Sequence, residues 1–150
     1  MLQTKILDII RDRLGSQKDD YELPPPVFTL MHGEFVEFDQ ENGVLTNRFP
    51  VLKEYLNPYG TMQGGIVAAA IDNTFGPLSM LVAQPSVTRR IEVKYSNPIT
   101  TDFEFIIVKA KFLKRDGQWL KFKADVRDPD GRLLARAWSL HWIINQERGL

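Results

Sequence analysis

No cysteine occurs in the 150 residues of this chain, and that absence excludes a disulfide framework, thiolate zinc sites and a cysteine nucleophile together. Histidine is scarce too: His32 and His141 are the only two, far apart in sequence, so a metal site is not expected. There is no excess of one charge sign, with Lys plus Arg and Asp plus Glu at 19 each. No overall basic field therefore exists to recruit nucleic acid or an anionic membrane, although local basic patches stay open. No run of 18 consecutive apolar residues occurs, so no membrane span is expected. The stretch from Met1 to Leu14 carries Asp8 and Asp12 and lacks a continuous apolar core, unlike a secretory signal peptide. A cytoplasmic protein is the expectation.

What is present fits one globular unit. Hydrophobic residues make up 43% and charged residues 25%, which argues against disorder. A chain of this length buries about two thirds of the surface its unfolded form exposes. Leu2, Ile6, Ile9, Ile10 and Leu14 recur at helical spacing and Gly15 follows as a stop, which predicts a short amphipathic helix. Gln17 to Asp20 reads as a polar linker, and Pro24-Pro25-Pro26 as extended chain up to the next element. Residues 1–26 are thus an N-terminal helix and Pro-rich linker, and 27–150 a single domain.

Gly33 to Asp39 and Val44 to Val51 alternate as two strands, joined at Glu41-Asn42-Gly43 by the strongest short-range hairpin signal. Farther on, Ile91, Val93 and Tyr95 alternate with Arg90, Glu92 and Lys94. Phe103 to Leu113 changes its apolar parity along its length, which requires either two covered faces or a bulge. Leu120 to Arg127 alternates cleanly, Asp128-Pro129-Asp130-Gly131 turns, and Leu133 to Ile144 is apolar on both parities. The fold class expected is α+β, with one long central helix packed on an antiparallel sheet of five or six strands. The two-sided last strand suggests dimerisation.

That long helix is the chemically informative stretch. It begins at Gly64-Gly65 and continues through an apolar tract to Val82 whose single charge is Asp72. No Lys or Arg lies between Gly60 and Thr88, so the carboxylate must be satisfied by backbone, by a hydroxyl such as Thr74 or Thr88, or by a functional partner. The free N–H groups of Gly64 and Gly65 at the positive helix end could polarise a carbonyl, or the glycines could simply allow close packing. Asp72 lies eight residues beyond Gly64, about 12 Å along the axis. One small reaction centre cannot easily use both ends of one helix, so a site using both needs two subunits.

The run Asn57-x-x-Gly60-x-x-Gln63-Gly64-Gly65, with Asp72 in the helix, Thr88 before an alternating strand that ends Tyr95-Ser96-Asn97-Pro98, and a last strand entered through Asp130-Gly131-Arg132-Leu133-Leu134-Ala135, resembles the hotdog-fold acyl-CoA thioesterases of the PaaI type. The likeness spans roughly Gly33 to Ile144 and is most specific from Asn57 to Asp72. It implies that Asn57 and the Gly64 amide polarise a thioester carbonyl, that Asp72 of the neighbouring subunit is general base or nucleophile, and that Thr88 places the water. Gln63 and Gly65 would line the substrate. No cofactor is implied beyond coenzyme A as part of the substrate, and the assembly implied is a homodimer or a dimer of dimers. Coenzyme A would run along the subunit boundary, with Arg89 and Arg90, and also Lys121 and Lys123, as candidates for its phosphates. Gln63 stands where the family has His; a Gln amide donates and accepts hydrogen bonds but cannot take up or release a proton. The alternative function is a non-catalytic hotdog module that binds acyl-CoA or a fatty acid. Hydratase chemistry on the same fold ranks last, since no His lies between His32 and His141.

Overall fold

A computed structural model describes residues 1–144, so the end of the expected 27–150 domain, residues 145–150, lies outside the described residues. Three helices, α1 (Leu2–Leu14), α2 (Pro26–Leu30) and α3 (Gly64–Val82), accompany six strands: β1 (Glu34–Asp39), β2 (Val44–Pro50), β3 (Ser86–Tyr95), β4 (Phe105–Asp116), β5 (Trp119–Arg127) and β6 (Leu133–Ile143). The strands form one sheet in the order β1-β2-β4-β5-β6-β3, antiparallel at every pairing. α3 crosses the inner face between β2 and the far edge strand, β3. This is the hotdog arrangement.

Local chemistry sets the connections. Gly43 adopts φ 63° in the β1–β2 turn, where the Asp39 carboxylate accepts the Asn42 N–H at 3.0 Å. Gly117 and Gly131, at φ 61° and 90°, close the turns of the β4-β5-β6 meander. The parity change in β4 has one of its two expected causes, apolar side chains covered on both faces, since the register is continuous from Phe105 to Phe112. Ile106, Val108 and Ala110 are buried on the inner face, whereas Phe105 is half-buried on the outer face beneath the Arg48 guanidinium, 5.1 Å from the ring centre. The register then slips between Phe112 and Lys114.

Two expectations need correction. Pro26 does not continue an extended linker but opens α2, because a proline at the first helical position loses nothing by lacking an N–H. The segment expected as polar linker coils into a 3-10 turn, Gly15–Asp20. Among the described residues, α3 is long and apolar enough to cross a bilayer, yet it packs on the sheet. α1 docks through Ile6, Leu7, Ile10 and Leu14 into the same core, and Arg13 donates from Nε to the Met80 carbonyl of α3 at 3.1 Å.

α3 stays helical on both sides of Pro77. Pro77 has no N–H to give the Asn73 carbonyl, and Asn47 of β2 supplies the missing donor. Its Nδ2 reaches the Asn73 carbonyl at 3.3 Å and Thr74 Oγ1 at 3.2 Å, and Asn47 is fully buried, at 0% exposure. Asn47→Ala is expected to cost about 1–3 kcal/mol in urea unfolding, because it strands buried acceptors. In a Pro77→Ala background, where the backbone donor at position 77 returns, the same change should cost less by about 0.5–1.5 kcal/mol. Additive costs would show that the two residues are not coupled.

Candidate active site

The start of α3 is held by a rigid loop. Leu56 and Met62 form a bridge, Gln63 N–H donates to the Tyr55 carbonyl at 2.8 Å, and Met62 N–H donates to the Ile99 carbonyl at 2.7 Å. Asn57 organises the turn between: its Oδ1 accepts from the N–H groups of Tyr59 at 3.0 Å and Thr61 at 3.2 Å, and its Nδ2 donates to Thr61 Oγ1 at 2.9 Å. One Nδ2 hydrogen of Asn57 is left over. The Gln63 carbonyl accepts from Ile66 and Val67 at 2.9 and 3.1 Å, whereas the exposed Gln63 side chain caps nothing. The N–H groups of Gly64 and Gly65 therefore stay at the open, positive end of the helix.

Tyr95, on β3, closes against this end. Its hydroxyl donates to the Gly64 carbonyl at 2.6 Å, and a Cβ on Gly64 would stand 3.3 Å from the Tyr95 hydroxyl oxygen, close enough that Tyr95 would have to shift by a few tenths of an ångström. Burial pushes the Tyr95 phenol above its usual range, which keeps it a donor. A cleft of about 350 Å³ opens here between Met62, Gly64, Val67, Tyr95, Asn97 and Ile99. Gly65 differs from Gly64: a Cβ there would meet nothing within 4 Å, so nothing within this chain demands its smallness.

Asp72 sits midway along the side of α3 that the sheet leaves half open. Thr88 Oγ1 donates to Asp72 Oδ1 at 2.9 Å, which identifies the hydroxyl partner; Thr74 instead bonds the Ala70 carbonyl at 3.0 Å. Thr88 points inward because the β3 register shifts between Thr88 and Arg90, a bulge at Arg89 that sends neighbouring residues to opposite faces. Gly65, Ala68, Ala69, Asp72 and Gly76 recur at helical spacing along the same side, and Gly76 also has nothing within 4 Å of its missing Cβ. α3 is therefore buried on one side only: Ile71, Phe75 and Leu78 are at 0% exposure, while the small-residue side is partly covered.

His141 lies beneath this region. It is the β6 partner of Thr88, 1% exposed, and flanked edge-on by Phe122 at 4.9 Å and Phe75 at 6.2 Å. Its Nδ1 is 3.4 Å from Ser86 Oγ, and its Nε2, like Ser139 Oγ, has no hydrogen-bond partner among the described residues. Sequence alone gave neither His141 nor Tyr95 a role in the site. The parity of Ile91, Val93 and Tyr95 already put Tyr95 on the helix side, but His141 could be placed only once the β3–β6 register was known.

The structure brings Thr88 to Asp72 and Tyr95 to Gly64. Within one chain it leaves Asp72 and Gly64 about 12 Å apart along the helix, and it turns the Asn57 amide into its own loop. Arg89 is exposed on the bulge. Arg90, 3.7 Å from Glu92, pairs with Leu140 on the outer face with Lys121 and Lys123, across the sheet from Thr88.

No family model matches the chain. A protein of Saccharolobus solfataricus, named as a candidate esterase, is 20% identical over 137 residues, covering 90% of this chain and 95% of that protein. The solved structure of a phenylacetic-acid-degradation-related protein from Ralstonia eutropha, described as a candidate thioesterase, superposes with TM-score 0.74 at 22% identity, covering 85% of this chain and 98% of that one. A hypothetical thioesterase protein from Streptococcus pneumoniae, solved with coenzyme A, superposes with TM-score 0.70 at 18% identity over 76% of this chain and 90% of that one. The chain has the hotdog fold of these proteins, as the resemblance of its sequence implied.

Burial pushes the His141 imidazole below its usual value, with the Asp72 carboxylate opposing. Folding therefore favours the neutral ring, and stability should fall as pH drops below the ordinary histidine value of about 6.5. Urea midpoints taken between about pH 7.5 and about pH 5.5 should decline in wild type and decline less in His141→Gln. Equal slopes would place the pH dependence elsewhere.

Proposed function

We propose that this protein hydrolyses the thioester of an acyl-CoA to the free acid and coenzyme A, as a homodimer whose active sites each combine the two helices α3. The Thr88–Asp72 hydrogen bond on the open side of α3 carries this reading. It holds a carboxylate ready on a helix face with room for a ligand, remote from the helix end that would bind a carbonyl.

The chemistry follows from the groups. The Gly64 N–H of one subunit and the spare Nδ2 hydrogen of Asn57 polarise the thioester carbonyl. A water placed by the Thr88 oxygen attacks the carbonyl carbon and gives its proton to Asp72 of the other subunit. The new C–O bond pushes the carbonyl electrons onto oxygen, and their return expels the coenzyme A sulfur as a thiolate, a far better leaving group than an alkoxide. Support for a second copy comes from three features. The edge strand β3 is 10 residues long and unpaired on one side; Ile91 and Tyr95 on it are 36% and 51% exposed; and Gly65 and Gly76 hold open space beside Asp72. The second reading, acyl-CoA or fatty-acid binding without turnover, is favoured by Gln63, whose amide cannot take up or release a proton and makes no cap hydrogen bond to the helix.

Thiol release from a panel of acyl-CoAs separates the two. Wild type should turn over at least one, and Asp72→Asn should lower kcat by about 10²–10⁴-fold; tight acyl-CoA binding with no turnover selects the binding module. Asn57→Asp keeps the acceptor oxygen of the loop and removes the donor, so it should cost about 10²–10³ in kcat with little change in stability. Unfolding and refolding these two inactive variants together should restore about a quarter of wild-type activity through mixed dimers. No recovery would mean that Asn57 and Asp72 do not meet across subunits.

A further inference from the structure

The outer face of the sheet, across from α3, carries a charge pattern that folding alone does not favour. In the β4–β5 ladder Lys111 stands directly opposite Lys123, and Lys114 opposite Lys121; in the β3–β6 ladder Lys94 stands opposite Arg136. Like charges at directly opposed positions destabilise a sheet, and three such pairs occupy one face. The carboxylates of this face either lie toward its β1 edge, as Glu34, Glu37 and Asp39 do, or are engaged among the cations. Asp125 serves Arg127 at 3.2 Å and Arg136 at 3.3 Å, and Glu92 serves Arg90 at 3.7 Å. Lys109, Lys111 and Lys123 join no ion pair among the described residues.

These cations line a concavity rather than a flat surface. A groove of about 510 Å³ runs across the strands, bounded by Lys109, Lys111, Lys123, Arg136 and Trp138, with the Asp125 carboxylate also in its lining but bonded to Arg127 and Arg136. Its volume lies within the ordinary ligand range of about 300–1,000 Å³. Trp138 forms one wall, is 42% exposed, and also borders a neighbouring hollow of about 210 Å³ that contains Arg90 and Lys121. A second copy of this chain is a poor occupant, because a two-fold contact would set this cationic face against itself. Bare phosphate would use the lysines and leave the indole idle. A ligand that joins several phosphates to an aromatic base uses both, through charge-assisted hydrogen bonds and stacking.

We infer that the groove walled by Lys111, Lys123, Arg127, Arg136 and Trp138 is a binding site for a nucleotide carrying two or more phosphates. It lies on the face of the sheet opposite Thr88 and Asp72 and does not depend on the thioesterase reading. Two sources supply this chemistry, the nucleotide end of coenzyme A and a free nucleoside polyphosphate.

Titration calorimetry of the full chain with ATP, adenosine 3′,5′-bisphosphate and tripolyphosphate tests it. Both nucleotides should bind saturably and more weakly as salt rises. Lys111→Glu should weaken them about tenfold or more, while it raises the melting temperature by about 1–4 °C, because it converts a repulsive cross-strand pair into an attractive one. Stability and affinity then move in opposite directions, so misfolding cannot explain the loss. Trp138→Ala should weaken both nucleotides and leave tripolyphosphate unchanged. Tighter binding of the bisphosphate assigns the site to coenzyme A, and tighter binding of ATP assigns it to a free nucleotide. The inference is overturned by an absence of saturable nucleotide binding, by binding indifferent to Lys111→Glu, by tripolyphosphate binding as tightly as the nucleotides, or by marked preference for a single-stranded oligonucleotide.

Discussion

The orientation of α3 depends on a proline that withholds a hydrogen bond and an asparagine that returns it. Pro77 leaves the Asn73 carbonyl without its intrahelical donor, and Asn47 reaches from β2 to supply one. Because Asn73 and Thr74 are both held toward β2, the preceding residue, about 100° around the helix, is turned toward the opposite edge of the sheet. There Asp72 meets Thr88 of β3. A polar contact buried in the core thus decides which side of an apolar helix faces the core and which stays open.

The two ends of the candidate chemistry are held by different means. At the helix start, backbone bonds from Tyr55, Ile99 and Gln63 itself fix the loop, leaving the N–H groups of the two glycines free. At Asp72 a single hydroxyl does the positioning, and that hydroxyl is aimed by one extra residue in β3. A rigid frame around unsatisfied donors is what charge stabilisation in a reaction requires, since the donors need not reorganise when charge develops.

Much of the fold was legible because its signals are local. Asn42-Gly43 marked the hairpin, Gly64 the helix start, and the alternation through Tyr95 the inward side of β3. The unread parts depend on partners distant in the chain. Asn47 looks like any strand residue until β2 is known to pack on α3, and His141 looks like packing until the β3–β6 register sets it opposite Thr88. In the site, Asp72 and Thr88 were identifiable from the loneliness of the acid. The sharing of the inner face by Thr88 and Ile91 was not legible, because unbroken alternation would set Thr88 beside Arg90 on the outer face and a one-residue bulge leaves hardly any trace in composition. Pro26 misled for a related reason: proline ends a helix or begins one, and sequence alone does not say which.

A formal net charge of zero conceals how unevenly this molecule is charged. The lysines gather over the outer faces of β4 and β5, whereas Glu34, Glu37 and Asp39 line the β1 edge. Such a body experiences no net pull in a uniform field but does feel a torque. An anion that drifts near it is met by a molecule already rotating its cationic face toward it, so orientation precedes contact.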